Sequence, residues 1–192
     1  MKKGLIITLA ILAVLGVVFF GKYNSMVTME EGVNTAWSQV ENQYQRRMDL
    51  IPNIVNTVKG EANFEKSTLE AVVQARASAT KMNVNVADAT EMAEFQKEQT
   101  GISQALSRLL MVTENYPNLK SNQGFADLRV TLEGTENRIS TERMRYNEVV
   151  QEFNTFVRKF PNNIAASIFG FERKNLFESQ EGAETAPTVS FE

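Results

Sequence analysis

Apolar side chains recur at three- and four-residue steps along most of this chain, and that spacing predicts helices almost from end to end. From Tyr23 onward the stripe passes through Val33, Trp37, Val40, Tyr44, Met48, Ile51, Val55 and Val58. The near-heptad step predicts a helix packed in a coiled-coil-like bundle, closed by Gly60 and Asn63. A shorter helix is predicted over 64–80, with Leu69, Val72 and Val73 facing inward and Ala75 and Ala79 allowing close approach. Residues 82–89 lose the period and read as a loop. A third helix, over 90–116, carries Met92, Phe95, Ile102, Leu106, Leu109 and Tyr116 and stops before Pro117, because the residue ahead of a proline is pushed out of the helical region. The fourth, capped by Asn122, keeps the step through Phe125, Leu128, Leu132, Thr135, Ile139, Tyr146, Val149, Phe153, Phe156 and Phe160, and ends at Pro161.

Ahead of these lies an apolar run from Gly4 to Gly21 whose only polar side chain is Thr8. At about 1.5 Å per residue it is slightly short for a hydrocarbon core of ~30 Å, but Lys3 and Lys22 can snorkel and Tyr23 suits the interface. A transmembrane anchor is expected. The competing reading, a cleaved signal peptide, lacks a good small-x-small site, since Val14-x-Gly16 would leave an apolar stub. Lys2, Lys3 and the amine before the run, set against Glu30 and Glu31 after it, place the N-terminus in the cytoplasm and the remainder outside, in the periplasm of a Gram-negative cell.

A continuous second-plus-third helix would overshoot its neighbours, so four antiparallel segments are expected. The fold class is therefore all-α: an N-terminal transmembrane helix followed by a long antiparallel four-helix bundle. Its organisation reads as 1–22, cytoplasmic stub and anchor; 23–171, the bundle; and 172–192, an acidic tail expected to be disordered. The chain returns to the bilayer after Phe160. There Ile164, Ile168, Phe169 and Phe171 either lie on lipid or cap the bundle from inside.

Composition narrows the chemistry. The 192 residues suit one domain, and a net charge of −3 without a basic face excludes phosphate-neutralising nucleic-acid contacts. There is no cysteine and no histidine. Thiolate nucleophiles, zinc-thiolate sites and the commonest general base near neutral pH are all missing. The carboxylate pairs Glu30–Glu31 and Glu133 with Glu136 lack the Glu-x-x-His partner of di-iron bundles. No catalytic, cofactor-binding or metal-ligating residue is expected.

Two constellations stand out against this background. Counting down antiparallel helices sets Arg46, Arg47 and Asp49 opposite Thr135, Glu136, Asn137 and Arg138, and sets Pro52 and Asn53 near Glu114 and Tyr116. Polar groups in an apolar seam select one register at some cost in stability, or they dock a partner. Pro52 has no N–H, so the Met48 carbonyl loses its helical donor and a bend is expected. The second constellation is a membrane-proximal polar seam of Tyr23, Asn24, Tyr146, Asn147 and Asn154, in which Asn147 and Asn154 are seven apart on one side of a helix. Buried, such asparagines fix register; exposed, they bind a partner.

Taken in order, Tyr23-Asn24, Ala36-Trp37, Arg46-Arg47-x-Asp49-Leu50-Ile51-Pro52-Asn53, Glu114-x-Tyr116-Pro117-x-Leu119, Thr135-Glu136-Asn137-Arg138-Ile139 and Tyr146-Asn147 resemble the LemA family of bacterial membrane proteins. The resemblance runs from the anchor to about Phe177. It implies an N-terminal anchor, a long antiparallel helical bundle and no established enzymatic activity, in genes that often neighbour membrane proteases and TPM-domain proteins. The chain departs from the family pattern at Met48, where many members carry histidine. The expected function is a non-enzymatic, membrane-anchored scaffold or adaptor of the bacterial cell envelope, acting through self-assembly as a homo-oligomer or through an envelope membrane-protein partner. The alternative is a membrane-remodelling or transport-associated component that binds lipid through residues 162–171.

Overall fold

A computed structural model describes residues 2–61, 63–80 and 84–178. The apolar run and the first bundle helix form one unbroken helix, α1 (Lys2–Lys59), of 58 residues. At 1.5 Å per residue it is about 87 Å long. Gly21 and Asn24 do not interrupt it: the hydroxyls of Ser25 and Thr28 donate back to their carbonyls at 3.0 Å, an alternative that keeps the helical path. Beyond the apolar run most buried positions follow a heptad, Met26, Val33, Val40, Arg47 and Ile54 on one track and Trp37, Tyr44, Ile51 and Val58 on the other, with Met48 and Val55 widening the face toward the far end.

The remaining elements are α2 (Lys66–Ala79), α3 (Ala89–Thr113), α4 (Pro117–Lys120), α5 (Gln123–Arg158) and α6 (Asn162–Phe169). Their ends follow local chemistry. The Asp88 carboxylate accepts from the Thr90 and Glu91 amides at the start of α3, and the Asn122 side chain accepts from the Phe125 amide at 3.0 Å to open α5. α3 stops at Thr113, short of the expected Tyr116, and Pro117 begins α4 instead, where its fixed φ and missing N–H cost nothing. Gly170, with φ 77°, terminates α6 in the left-handed conformation that glycine adopts without strain.

α1, α2, α3 and α5 run alternately away from and toward the apolar run, so the antiparallel bundle is present. α1 packs along α5, and α2 packs along α3. The core divides into a half near the apolar run, centred on Trp37, Tyr44, Phe95, Tyr146 and Phe153, and a far half centred on Ile51, Val58, Leu109 and Leu132. Val73 is half exposed rather than inward. Phe160 is 81% exposed, because α5 ends at Arg158 before the heptad track reaches it.

One expectation is corrected. Residues 172–178, assigned to a disordered tail, instead lie extended along the bundle, with Phe177 buried. They fill the seam between α3 and α5 near the apolar run, over a stretch where the short α2 does not reach. The rest of the expected tail, 179–192, lies outside the described residues.

Candidate functional site: a peptide seat and a buried arginine

The seat for residues 172–178 is built from side-chain amides on α5. The Asn154 Nδ2 donates to the Lys174 carbonyl at 2.9 Å while its Oδ1 accepts from the Lys174 amide at 3.0 Å. Two helical turns earlier, Asn147 repeats the arrangement on Phe177, at 3.0 and 2.8 Å. Seven helical residues rise about 10.5 Å and three extended residues span about 10 Å, so the asparagine spacing matches the repeat of an antiparallel extended strand. Each asparagine supplies the donor and acceptor that a neighbouring β-strand would supply.

The neighbouring positions Asn175 and Glu178 are read in the same way. The Asn175 amide donates to the Val86 carbonyl at 2.9 Å, and its own carbonyl accepts from the Tyr146 hydroxyl at 2.9 Å. The Glu178 amide donates to Gln96 Oε1 at 3.0 Å, and its carbonyl accepts from Arg143 at 3.2 Å. Four residues, 174, 175, 177 and 178, therefore have both main-chain groups bonded to the bundle.

Side chains add a pattern. Lys174 pairs with Glu30 at 2.6 Å and lies over the Phe153 ring; Asn175 Nδ2 donates to the Val86 carbonyl. Phe177 stacks on Trp37 at 5.8 Å and meets Tyr146 edge-on at 5.4 Å, beneath the Arg143 guanidinium. Leu176 points away, 41% exposed. Burial pushes the Tyr146 hydroxyl far above the ordinary tyrosine range, so it stays a proton donor to the strap.

The sequence-derived seam thus divides. Tyr146, Asn147 and Asn154 are brought together by the strap. Tyr23 instead packs edge-on to Phe169 and Phe171 at 4.9 and 5.8 Å, and Asn24 is exposed. Periodicity gave no warning of the strap, whose charged, aperiodic sequence resembles a tail. The usable signal was the seven-residue asparagine spacing.

The second constellation centres on Arg47, 1% exposed on a core track of the heptad. Its Nη1 donates to Glu136 Oε1 and to Ser103 Oγ, both at 2.9 Å, and its Nη2 reaches the Gln99 side chain and backbone carbonyl. The guanidinium also lies 5.1 Å from the Tyr44 ring centroid. One charge therefore ties α1 to both α3 and α5.

The neighbours predicted beside it disperse. Arg46, Asp49, Asn53, Asn137 and Arg138 are exposed, and Asp49 accepts from Gln45 at 2.8 Å on its own helix. Glu114 and Tyr116 make their polar contacts at the far turn. Glu114 pairs with Lys120 at 2.7 Å and Arg129 at 3.2 Å, and the Tyr116 hydroxyl donates to the Asn63 carbonyl. The Met48 carbonyl freed by Pro52 accepts from Arg76 Nε of α2 at 3.1 Å, so α1 continues through the proline with its lost bond replaced from a neighbour. No group of three or more carboxylates suited to a metal ion occurs among the described residues.

Residues 36–191 match the model of the LemA family. The chain belongs to that family. Among its relatives, Magnetosome protein MamQ 2 of Paramagnetospirillum magneticum is 27% identical, over 95% of this chain and 76% of the relative. Magnetosome protein MamQ of Magnetospirillum gryphiswaldense is 24% identical, over 85% and 67%. Protein LemA of Metamycoplasma hominis is 23% identical, over 85% of this chain and 72% of the relative. The LemA-family match takes in the strap and the peptide seat apart from Glu30, as well as Arg47 and its partners.

Proposed function

We propose that this chain is a non-enzymatic, membrane-anchored helical scaffold or adaptor of the bacterial cell envelope, acting by protein–protein contact or self-assembly. The observation that carries the reading is the continuity of α1, one rod from an apolar run into the far end of a bundle. Such a rod carries the exposed polar side chains of Arg46, Asp49 and Asn53 tens of ångströms from the bilayer. The family, together with relatives named as magnetosome proteins, supports a membrane-associated helical protein without catalytic machinery. In this reading 1–22 is the anchor with its N-terminus in the cytoplasm, and 23–171 is an extracytoplasmic bundle.

The test is the mass of the intact chain in detergent and the set of envelope proteins purified with it, for wild type and for Arg46→Ala/Asp49→Ala/Asn53→Ala. The expected result is a species larger than a monomer or a defined membrane-protein partner, with either one reduced in the triple variant. A monomer with an unaltered partner set in both chains would sink the reading.

A second reading, lipid contact through α6, is favoured by one feature. Phe19, inside the apolar run, packs against the bundle core, which supports a bundle foot close to the bilayer. α6 turns Asn162, Ala165 and Ala166 inward and leaves Ile164, Ile168 and Phe169 exposed.

A further inference from the structure

We propose that the seam between α3 and α5 is a binding site for an extended peptide of the pattern basic-Asn-x-Phe, and that a second copy of this chain fills it in exchange for the resident segment. The inference rests on the self-assembly reading and names the segment that would carry it.

The site is assembled by the bundle and not by the strap. Asn147, Asn154, Tyr146 and Arg143 sit on α5, Gln96 on α3, and Glu30 and Trp37 on α1. Recognition is dominated by main-chain groups, which give affinity to any extended chain in the right register. Lys174 on Glu30, Asn175 on the Val86 carbonyl and Phe177 between Trp37 and Tyr146 supply the selectivity. These are the marks of a peptide-binding groove, one whose aromatic pocket seats Phe177 in the core cluster near the apolar run. The same seam continues beyond the strap as an open depression of about 450 Å³ between Leu106 and Leu110 on α3 and Leu132 and Glu136 on α5.

Exchange leaves the helices untouched. The segment follows Gly170, and only residues beyond that glycine need to swing out. Every bond lost in one copy is remade in its partner, so the two arrangements are nearly equal in contact energy and local concentration decides between them. Copies anchored by α1 in one bilayer face the same way and present donor segment and acceptor groove at the same height. A second copy is thus the partner whose sequence carries the pattern in the required place.

The chain has no cysteine, so introduced thiols are unique. One full-length copy carries Gln96→Cys and a differently tagged copy carries Glu178→Cys; the two are co-reconstituted in phosphatidylcholine vesicles and treated with a short bis-maleimide. The expected product is a covalent dimer of the two tags, reduced severalfold when Phe177→Ala is added to the Glu178→Cys copy. A parallel measurement uses a fluorescent peptide of residues 171–178. It should bind full-length Phe177→Ala, whose own segment keeps its main-chain bonds but loses its buried ring, severalfold more tightly than wild type, and about tenfold more weakly when Asn147→Ala and Asn154→Ala are added. Circular dichroism confirms that each variant keeps its helicity. Absence of the cross-copy product, a product indifferent to Phe177→Ala, or a peptide that binds Phe177→Ala no better than wild type overturns the proposal. An oligomer in detergent that persists under any of those outcomes leaves the scaffold reading standing and removes only this segment from it.

Discussion

Arg47 sits where the heptad reserves an apolar side chain, and its partners decide what that costs. A buried guanidinium must be paired, and Glu136, Ser103 and the two Gln99 oxygens pair it. Removing the cation while leaving space behind should be the worst change. Arg47→Ala is expected to cost about 3 kcal/mol, from the cavity and the stranded Gln99. Arg47→Met fills most of the same volume and lets the half-exposed Glu136 turn to water, so it avoids the cavity and should cost only about 1 kcal/mol for the stranded Gln99. Urea unfolding followed by circular dichroism in detergent separates the two, and equal losses would contradict the account. Tyr146 is the other residue whose chemistry can be isolated. Its folded pKa lies above the unfolded value, so its contribution is whole below about pH 10 and declines as pH rises from there toward the folded value. Tyr44 is raised as well, mainly by burial, and partly offset by Arg143 and Arg47. Tyr146→Phe should therefore flatten, without abolishing, the alkaline loss of stability, at a neutral-pH cost of about 1 kcal/mol for the lost bond to Asn175. An alkaline profile parallel to wild type would count against this.

Pro52 and Arg76 form a pair across two helices that a double substitution can resolve. The proline removes the donor that Met48 would use, and Arg76 of α2 takes its place. Arg76→Leu alone should cost about 1 kcal/mol by orphaning that carbonyl. In a Pro52→Ala background residue 52 regains its N–H, and the same substitution should cost close to nothing; additive effects would refute the coupling. The sequence foretold the freed carbonyl but not its partner, because residue 76 was placed only by approximate helix lengths. The same contrast runs through the elements. The Asn122 cap and the α5 stripe were legible because each depends on neighbours within a turn or two. On α5 the heptad track Phe125, Leu132, Ile139, Tyr146, Phe153 is buried throughout, whereas the companion positions shift from the expected Val149 and Phe156 to Val150 and Val157. An α-helix drifts against a seven-residue repeat by about 20° per heptad, and over this length the drift moves the buried face by one residue. The strap was illegible for a different reason: its eight main-chain bonds come from residues up to 89 positions away, and nothing in Glu172 to Glu178 has a period of its own.

At the scale of the whole molecule, the apolar run and the bundle overlap. Lys22 lies over the Phe156 ring, Tyr23 meets Phe169 and Phe171, and Phe19 joins the bundle core, so α6 stands beside the last turn of the apolar run. A run of 18 residues has about 27 Å to offer a ~30 Å hydrocarbon core, and it has none to spare for a bundle held clear of the surface. On the lipid-contact reading the foot of the bundle enters the interface, and Ile164, Ile168 and Phe169 are the exposed side chains that would meet acyl chains. Tryptophan fluorescence can measure this depth, because Trp37 is the sole tryptophan and is buried. In a Trp37→Phe background, Ile168→Trp in vesicles containing brominated lipids should be strongly quenched, while Met111→Trp, exposed on α3 toward the far end, should not be. Ile164→Glu should reduce quenching at position 168 without altering helicity, since residue 164 is on the outer face and supports no core contact. No quenching at 168 would lift the bundle off the bilayer and leave the exposed face of α6 to a protein partner, and quenching at 111 as strong as at 168 would contradict contact confined to the foot.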